Sequence, residues 1–149
     1  MTLGEVSSLC VDRFPLSTTR PMLFGKLRQV LRKLVENSIV GEVWIDGGFV
    51  TEQIDPKDVD FVLRVESAFY ENCTGEQRAL MDWMNRDLMT EYLCDTYLLV
   101  EWPEGHDLYA KGQNDRWSYL DLFGAGKSPR RRKQPKGIAV VSLSENYYE

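Results

Sequence analysis

The sequence predicts an α/β (α+β) domain in which helices pack against a small mixed β-sheet. Two observations carry this prediction: a helical hydrophobic period near the N-terminus, and four later apolar runs of strand length. Their order, α-β-β-α-β-α-β, favours a single layer of strands covered by helices. With 149 residues, the chain corresponds to one ordinary domain that is long enough to bury a core.

The first elements follow from local patterns in chain order. Residues 1–20 show no steady period, so we expect an irregular N-terminal arm. From Met22 to Asn37 apolar residues recur at intervals of three and four, which predicts an amphipathic helix with Pro21 in its first turn. The apolar runs at 42–46 and 58–65 predict two strands, because a loop with two glycines and a proline separates them.

The second half of the chain continues the alternation of helices and strands. Thr74 and Gln77 match a capping box, and a helical period continues from there to Tyr92. The remaining pattern predicts, in order, a third strand over 94–101, a short helix over 115–123, a basic loop over 124–136 and a fourth strand over 137–143.

Composition narrows the class of protein. The apolar runs are far shorter than the ~20 residues of a membrane span, and the N-terminus has no basic, apolar leader, so we expect a cytoplasmic protein with no membrane partner. Three widely spaced cysteines without a CxxC pair argue against disulfides and a zinc site. The net charge of −5 argues against a surface that binds nucleic acid all over.

The most informative pattern lies in Val43–Thr51 and Pro56–Val62. Gly47 and Gly48 allow a tight turn whose N–H groups approach a polyphosphate. Asp58 and Asp60 stand two residues apart, which places both on one face of a strand. Because neighbouring carboxylates repel each other, a hard divalent ion such as Mg²⁺ (or Mn²⁺) between them is the natural remedy.

These residues resemble the signature of the nucleotidyltransferase fold, in which an apolar residue and Gly-Gly or Gly-Ser precede Asp-apolar-Asp-apolar. Here nine residues separate Gly48 from Asp58. The segments 44–51 and 56–60 are similar to a group of small bacterial nucleotidyltransferase-like proteins, often suspected of toxin–antitoxin or phage-defence roles. The resemblance covers roughly residues 40–142, and it implies a single nucleotidyltransferase-like domain over 1–149.

The resemblance also implies an activity: transfer of a nucleotide from an NTP such as ATP to a hydroxyl on tRNA or on a protein, with a cognate antitoxin as a further partner. One departure stands out. The second glycine position is more often serine in such proteins, and here it is Gly48, so Thr51 is the candidate for the missing hydroxyl.

Such sites carry a third carboxylate on an adjacent strand, and Asp95 is the candidate because a charge is out of place in its apolar run. Alternatively, Asp95 caps the preceding helix or forms a salt bridge, and Glu101 then replaces it as a ligand. We expect Asp46 to fix the glycine loop by accepting backbone N–H bonds. The expected catalytic and metal-binding residues are therefore Asp58, Asp60 and Asp95.

The basic block from Lys127 to Lys136 holds six cations and no acid. It is either a solvated loop or a segment that holds phosphates, and Lys136 is its candidate for the triphosphate. Two other functions stay open. A degenerate nucleotidyltransferase fold that binds nucleotide or RNA without turnover would explain Gly48, and a protein-interaction module would use the tryptophans, Trp44, Trp83 and Trp102.

Overall fold

The computed structural model describes residues 1–115 and 138–143. It confirms the mixed α/β fold class. The strands are β1 (Gly41–Asp46), β2 (Val59–Glu66), β3 (Cys94–Glu101) and β4 (Ala139–Leu143). The helices are α1 (Leu3–Ser7), α2 (Arg20–Glu36), α3 (Ser67–Asn72), α4 (Gly75–Trp83) and α5 (Met89–Tyr92), with one π-helical turn at Ser8–Asp12 and one 3₁₀ turn at Gly47–Val50. Residues 109–115 are also helical.

The four strands form one sheet in the order β3-β2-β1-β4. β1 runs antiparallel to both β2 and β4, whereas β2 and β3 are parallel. A parallel pair needs a crossover connection, and residues 67–93 supply it with α3, α4 and α5. The loop that joins β1 to β2 is the one that contains both glycines, so it lies at the end of the sheet where β3 begins.

The core lies between the helices and one face of the sheet. The apolar stripe of α2 is fully buried: Leu23, Leu27, Val30, Leu31 and Leu34. It belongs to the same cluster as the odd-numbered side chains of β1 and β2, among them Val43, Ile45, Phe61 and Leu63. The even-numbered residues of these strands therefore point to the other face, where Trp44, Val62 and Leu99 form a separate buried cluster.

The N-terminal segment is not the irregular arm that the sequence suggested. Residues 3–12 are helical, and Leu3, Val6 and Cys10 are buried against the core. Thr2 and Glu5 form a capping box that starts α1. The expectation is wrong here because two helical turns are too short to show a periodic pattern, although the capping pair itself was visible in the sequence.

The helix expected from Thr74 to Tyr92 is also different. Its capping box is present, but α4 ends at Trp83 and α5 begins only at Met89. Between them the Asp87 carboxylate accepts hydrogen bonds from the backbone N–H groups of Met89 and Thr90, which starts a new helical turn. The strand predictions hold within two residues. The short helix expected at 115–123 lies outside the described residues except for its first residue, and the basic loop expected at 124–136 lies outside them entirely. Among the described helices, none has the length and apolarity needed to cross a membrane.

Candidate functional site

Three aspartates lie side by side on three neighbouring strands. Asp60 pairs in register with Asp46 of β1 on one side and with Asp95 of β3 on the other. Residues directly opposite each other on adjacent strands point to the same face of the sheet. The structure thus places Asp95 beside Asp60 on the expected face, and we call Asp46, Asp60 and Asp95 the carboxylate row.

The row lies at one end of the sheet and is largely shielded from water. Asp46 is 1% exposed and Asp60 is 6% exposed, whereas Asp95 is partly exposed. The Tyr97 hydroxyl lies 3.5 Å from Asp95 Oδ2. Burial, together with the carboxylates of Asp58 and Asp60, raises the pKa of the Cys94 thiol to about 12. Burial and the nearby negative charge therefore keep the thiol neutral, and Cys94 is not an available nucleophile.

Asp58 and Asp46 lie at strand ends. Asp58 is one residue before β2 begins and is partly exposed, whereas Asp60 lies within β2. Asp46 is the last residue of β1 and stands in register with Asp60, and its side chain does not cap the following 3₁₀ turn.

The first glycine of the loop makes room for the carboxylate row. Gly47 has φ = +79°, and a Cβ atom built on it would lie 2.0 Å from Asp60 Oδ2. No other residue fits both the left-handed backbone and the close approach. The loop and the row are therefore in direct contact, with the Asp60 carboxylate packed against the Gly47 backbone.

The second glycine makes room for a side chain of the same loop. A Cβ atom on Gly48 would lie 2.3 Å from Oε1 of Gln53. Gln53 thus occupies the space that a serine would need. The Thr51 hydroxyl donates to the Gly48 carbonyl at 2.8 Å, and it accepts from the Gln53 N–H at 3.3 Å. In this arrangement the hydroxyl proton of Thr51 is directed at the loop's own backbone.

A buried arginine behind the loop was not foreseen from the sequence. Arg20, the first residue of α2, is 0% exposed. Its guanidinium donates to the backbone carbonyls of Gly48, Phe49, Thr51 and Gln53, and also to that of Cys10. The partners of Arg20 are backbone carbonyls, so no partner side chain in the sequence indicates these contacts. The sequence pattern therefore did not predict them.

The N-terminal helices, the glycine loop and the sheet all fall within one family match. The chain belongs to the DUF6932 family. Its model, described as a family of unknown function, matches residues 1–142. Neither the curated proteins nor the solved structures gave a match. The DUF6932 match begins before α1, so the segment that carries Arg20 is part of the same unit as the carboxylate row.

The carboxylate row offers oxygen atoms, which are the ligands that a hard divalent ion binds. Within residues 1–115 and 138–143, no group of three or more His, Cys, Asp or Glu side chains is arranged to hold a metal ion by itself. Mg²⁺, however, usually binds through one or two carboxylates and completes its shell with water and substrate phosphates. Asp60 and Asp95 stand in register on one face of the sheet, and they are the two carboxylates that would contribute to such a shared site.

The fallback ligand, Glu101, is not part of this site. It lies at the far end of β3, six residues from Asp95, which corresponds to ~20 Å along a strand. Its carboxylate accepts a 2.6 Å hydrogen bond from Arg64, and this bond raises the pKa of the arginine. Glu101 therefore forms a structural ion pair.

The tryptophans considered for partner binding all contact their own chain. Trp44 is 6% exposed and belongs to the cluster on the second face of the sheet. Trp83 meets Tyr92 edge-on at 5.6 Å, and Trp102 stacks on His106 at 4.4 Å. These contacts account for the tryptophans as packing residues. The remaining candidate, Lys136, lies outside the described residues, as does the rest of the basic block.

Proposed function

We propose that this DUF6932 protein is a metal-dependent nucleotidyltransferase that moves a nucleotide from an NTP to a hydroxyl on tRNA or on a protein. The observation that carries the proposal is the carboxylate row beside the glycine loop, with Asp60 in register with Asp95 and in contact with Gly47. Three carboxylates in register on one face of a sheet repel one another, and a bound cation would offset that repulsion.

Each part of the site has a role in the proposed reaction. Bound by Asp60 and Asp95, the ion would neutralise phosphate charge and lower the pKa of the attacking hydroxyl. The glycine loop orients the polyphosphate through its backbone N–H groups. Asp58 is more accessible than Asp60, so it is the carboxylate that we assign to accept the proton of the acceptor hydroxyl. The low exposure of Asp46 and Asp60 strengthens electrostatic attraction for a cation.

In the test, the purified protein is incubated with each α-labelled NTP in turn, together with Mg²⁺ or Mn²⁺, total RNA and cell lysate. Labelling of an RNA or protein together with release of pyrophosphate is the expected result. Asp60→Asn and Asp95→Asn should abolish labelling, whereas Asp107→Asn, which changes an exposed aspartate outside the site, should not. If no NTP yields label or pyrophosphate, the proposal is refuted.

A second candidate is a nucleotide-binding module without turnover. It is favoured by Gln53, which fills the serine position, and by Thr51, whose hydroxyl is used within the loop. This candidate predicts NTP binding that requires Asp60 but releases no pyrophosphate. Equilibrium binding and pyrophosphate release, measured on the same preparation, separate the two functions.

A toxin role in the cytoplasm is an extension of the first proposal. NTPs and tRNA are cytoplasmic molecules, and the cysteines of the described residues are free thiols, as expected in a reducing compartment. If the reaction blocks translation, expression of the wild type should arrest growth and Asp60→Asn should not. A cognate antitoxin would then be the protein whose co-expression restores growth.

A further inference from the structure

The guanidinium of Arg20 directs all of its N–H groups at backbone carbonyls. Nε donates to Gln53 O at 3.1 Å, and Nη1 donates to Cys10 O at 2.8 Å and to Phe49 O. Nη2 is shared among Gly48 O at 3.2 Å, Thr51 O at 2.8 Å and Gln53 O. A guanidinium has five N–H donors, so its capacity is used up by these acceptors, four of which belong to one loop.

This placement is unusual for a charged side chain. Burial lowers the pKa of Arg20, and the acceptors of its hydrogen bonds are neutral carbonyls. The Phe14 ring stacks on the guanidinium with its centroid 3.7 Å from the central carbon. Burying a charge is costly unless hydrogen bonds compensate it. A core of similar volume could be built from apolar residues, so the arginine is best explained by what it does to the loop.

The arginine determines which edge of the loop faces inward. A peptide unit is planar and trans, so its C=O and N–H point in opposite directions. Because the carbonyls of Gly48, Phe49, Thr51 and Gln53 point at Arg20, the N–H groups of the residues that follow each of them point away from it. The inner edge of the loop thus presents four carbonyl acceptors to Arg20, and the N–H donors of the same four peptide units lie on the opposite edge.

The far end of the loop is fixed by the residues just before α2. The Asp55 carboxylate accepts hydrogen bonds from the Thr18 N–H at 2.8 Å and from the Ser17 hydroxyl at 3.0 Å. The Ser17 hydroxyl oxygen also accepts from the Arg20 N–H at 3.1 Å. One short segment, residues 17–20, therefore holds both the middle and the end of the glycine loop.

We propose that Arg20 is a positioning residue that holds the loop Gly47–Asp55 from behind, in the conformation that receives the polyphosphate of a nucleoside triphosphate beside the carboxylate row. This inference rests on the proposed function and extends it to a residue that never touches the substrate. The ligand class is the triphosphate itself, so inorganic triphosphate is a sufficient probe.

The test compares Arg20→Lys with Arg32→Lys, which changes an exposed arginine on the same helix. Lysine keeps the charge but has one nitrogen, so it cannot reach four loop carbonyls at once. Because a misplacement of ~1 Å can cost about 100-fold, we expect Arg20→Lys to weaken triphosphate binding by about 10- to 100-fold. KM for the NTP should rise more than kcat falls, and hydrogen exchange should accelerate at loop amides but not within β1. Arg32→Lys should match the wild type in every measurement.

The outcomes separate this inference from the function on which it rests. A wild type that binds no triphosphate refutes the proposed function and the inference together. A wild type that binds triphosphate, with Arg20→Lys binding equally well, overturns the inference alone. Should Arg20→Lys fail to fold, Phe14→Leu provides the second variant, because it removes the stacked ring and keeps the arginine. It should weaken triphosphate binding by about threefold, and unchanged binding overturns the inference.

Discussion

Gly47→Ala is the sharpest test of the contact between the loop and the carboxylate row. The alanine would adopt φ = +79° and place its Cβ 2.0 Å from Oδ2 and 3.0 Å from Cγ of Asp60. The left-handed backbone costs about 1–2 kcal/mol for a residue with a Cβ. Overpacking against the carboxylate adds about 1–3 kcal/mol, since something must shift. We therefore expect the free energy of unfolding to fall by about 2–5 kcal/mol, as the sum of the two terms.

Two other glycines separate these contributions. Gly105 has φ = +91° with nothing within 4 Å of an added Cβ, so Gly105→Ala reports the backbone cost alone. Gly25 lies within α2 with equally open space, and Gly25→Ala should stabilise the protein by about 0.5–1 kcal/mol. Urea denaturation at fixed temperature measures all three, and equal m-values show that the compared states have not changed.

A double mutant tests whether Asp60 causes the overpacking in Gly47→Ala. In Gly47→Ala/Asp60→Ala the carboxylate is gone, so the total loss of stability should be smaller than the sum of the two single-mutant losses, by about 1–3 kcal/mol. The reasoning is refuted if Gly47→Ala costs no more than Gly105→Ala, or if the coupling is smaller than about 0.5 kcal/mol.

Three further outcomes follow from contacts near the site. Gly48→Ser displaces only the end of the Gln53 side chain. It should therefore lower the free energy of unfolding in urea by under about 1 kcal/mol, and by less when Gln53→Ala is added. A larger loss would show that Gly48 has a tighter contact than the one with Gln53. Hydrogen bonds from the Thr18 N–H and the Ser17 hydroxyl lower the pKa of Asp55. Asp55→Asn should therefore reduce stability by its full amount above pH ~4, and the difference should shrink as pH falls from ~4 through the lowered pKa. A difference that does not change with pH would contradict this prediction. Glu101→Gln weakens the half-buried hydrogen bond to Arg64 and should lower the free energy of unfolding by about 1–2 kcal/mol. An unchanged stability would show that the ion pair does not stabilise the fold.

The sequence was informative where a pattern extends over many residues. The helix expected at Met22–Asn37 is found at Arg20–Glu36, because seventeen residues give nearly five turns of amphipathic period. The third strand has the predicted limits, since Pro103 and a left-handed Leu93 bound it. The interruption after Trp83 was missed because the apolar period continues across it, while local hydrogen bonds of Asp87 start a new turn.

The carboxylate row was partly predictable for a similar reason. Strand alternation puts Asp60 on the face away from the helices, and a parallel neighbour that begins with Cys94 brings Asp95 level with it. The position of Asp46 depends on the register across the glycine loop. That register is set by the loop's conformation, which no side-chain pattern in the sequence specifies.

The loop is held from two sides by residues far apart in the chain. Arg20 draws its carbonyls inward from behind, and the Asp60 carboxylate packs against Gly47 from the front. The anchor of the loop comes from the start of α2, and both this anchor and the glycine motif lie within residues 1–142, which the DUF6932 model matches. A fragment that retains the glycines and aspartates but lacks residues 1–20 would keep every residue of the recognisable motif. It would also lose the hydrogen bonds that give its loop one conformation.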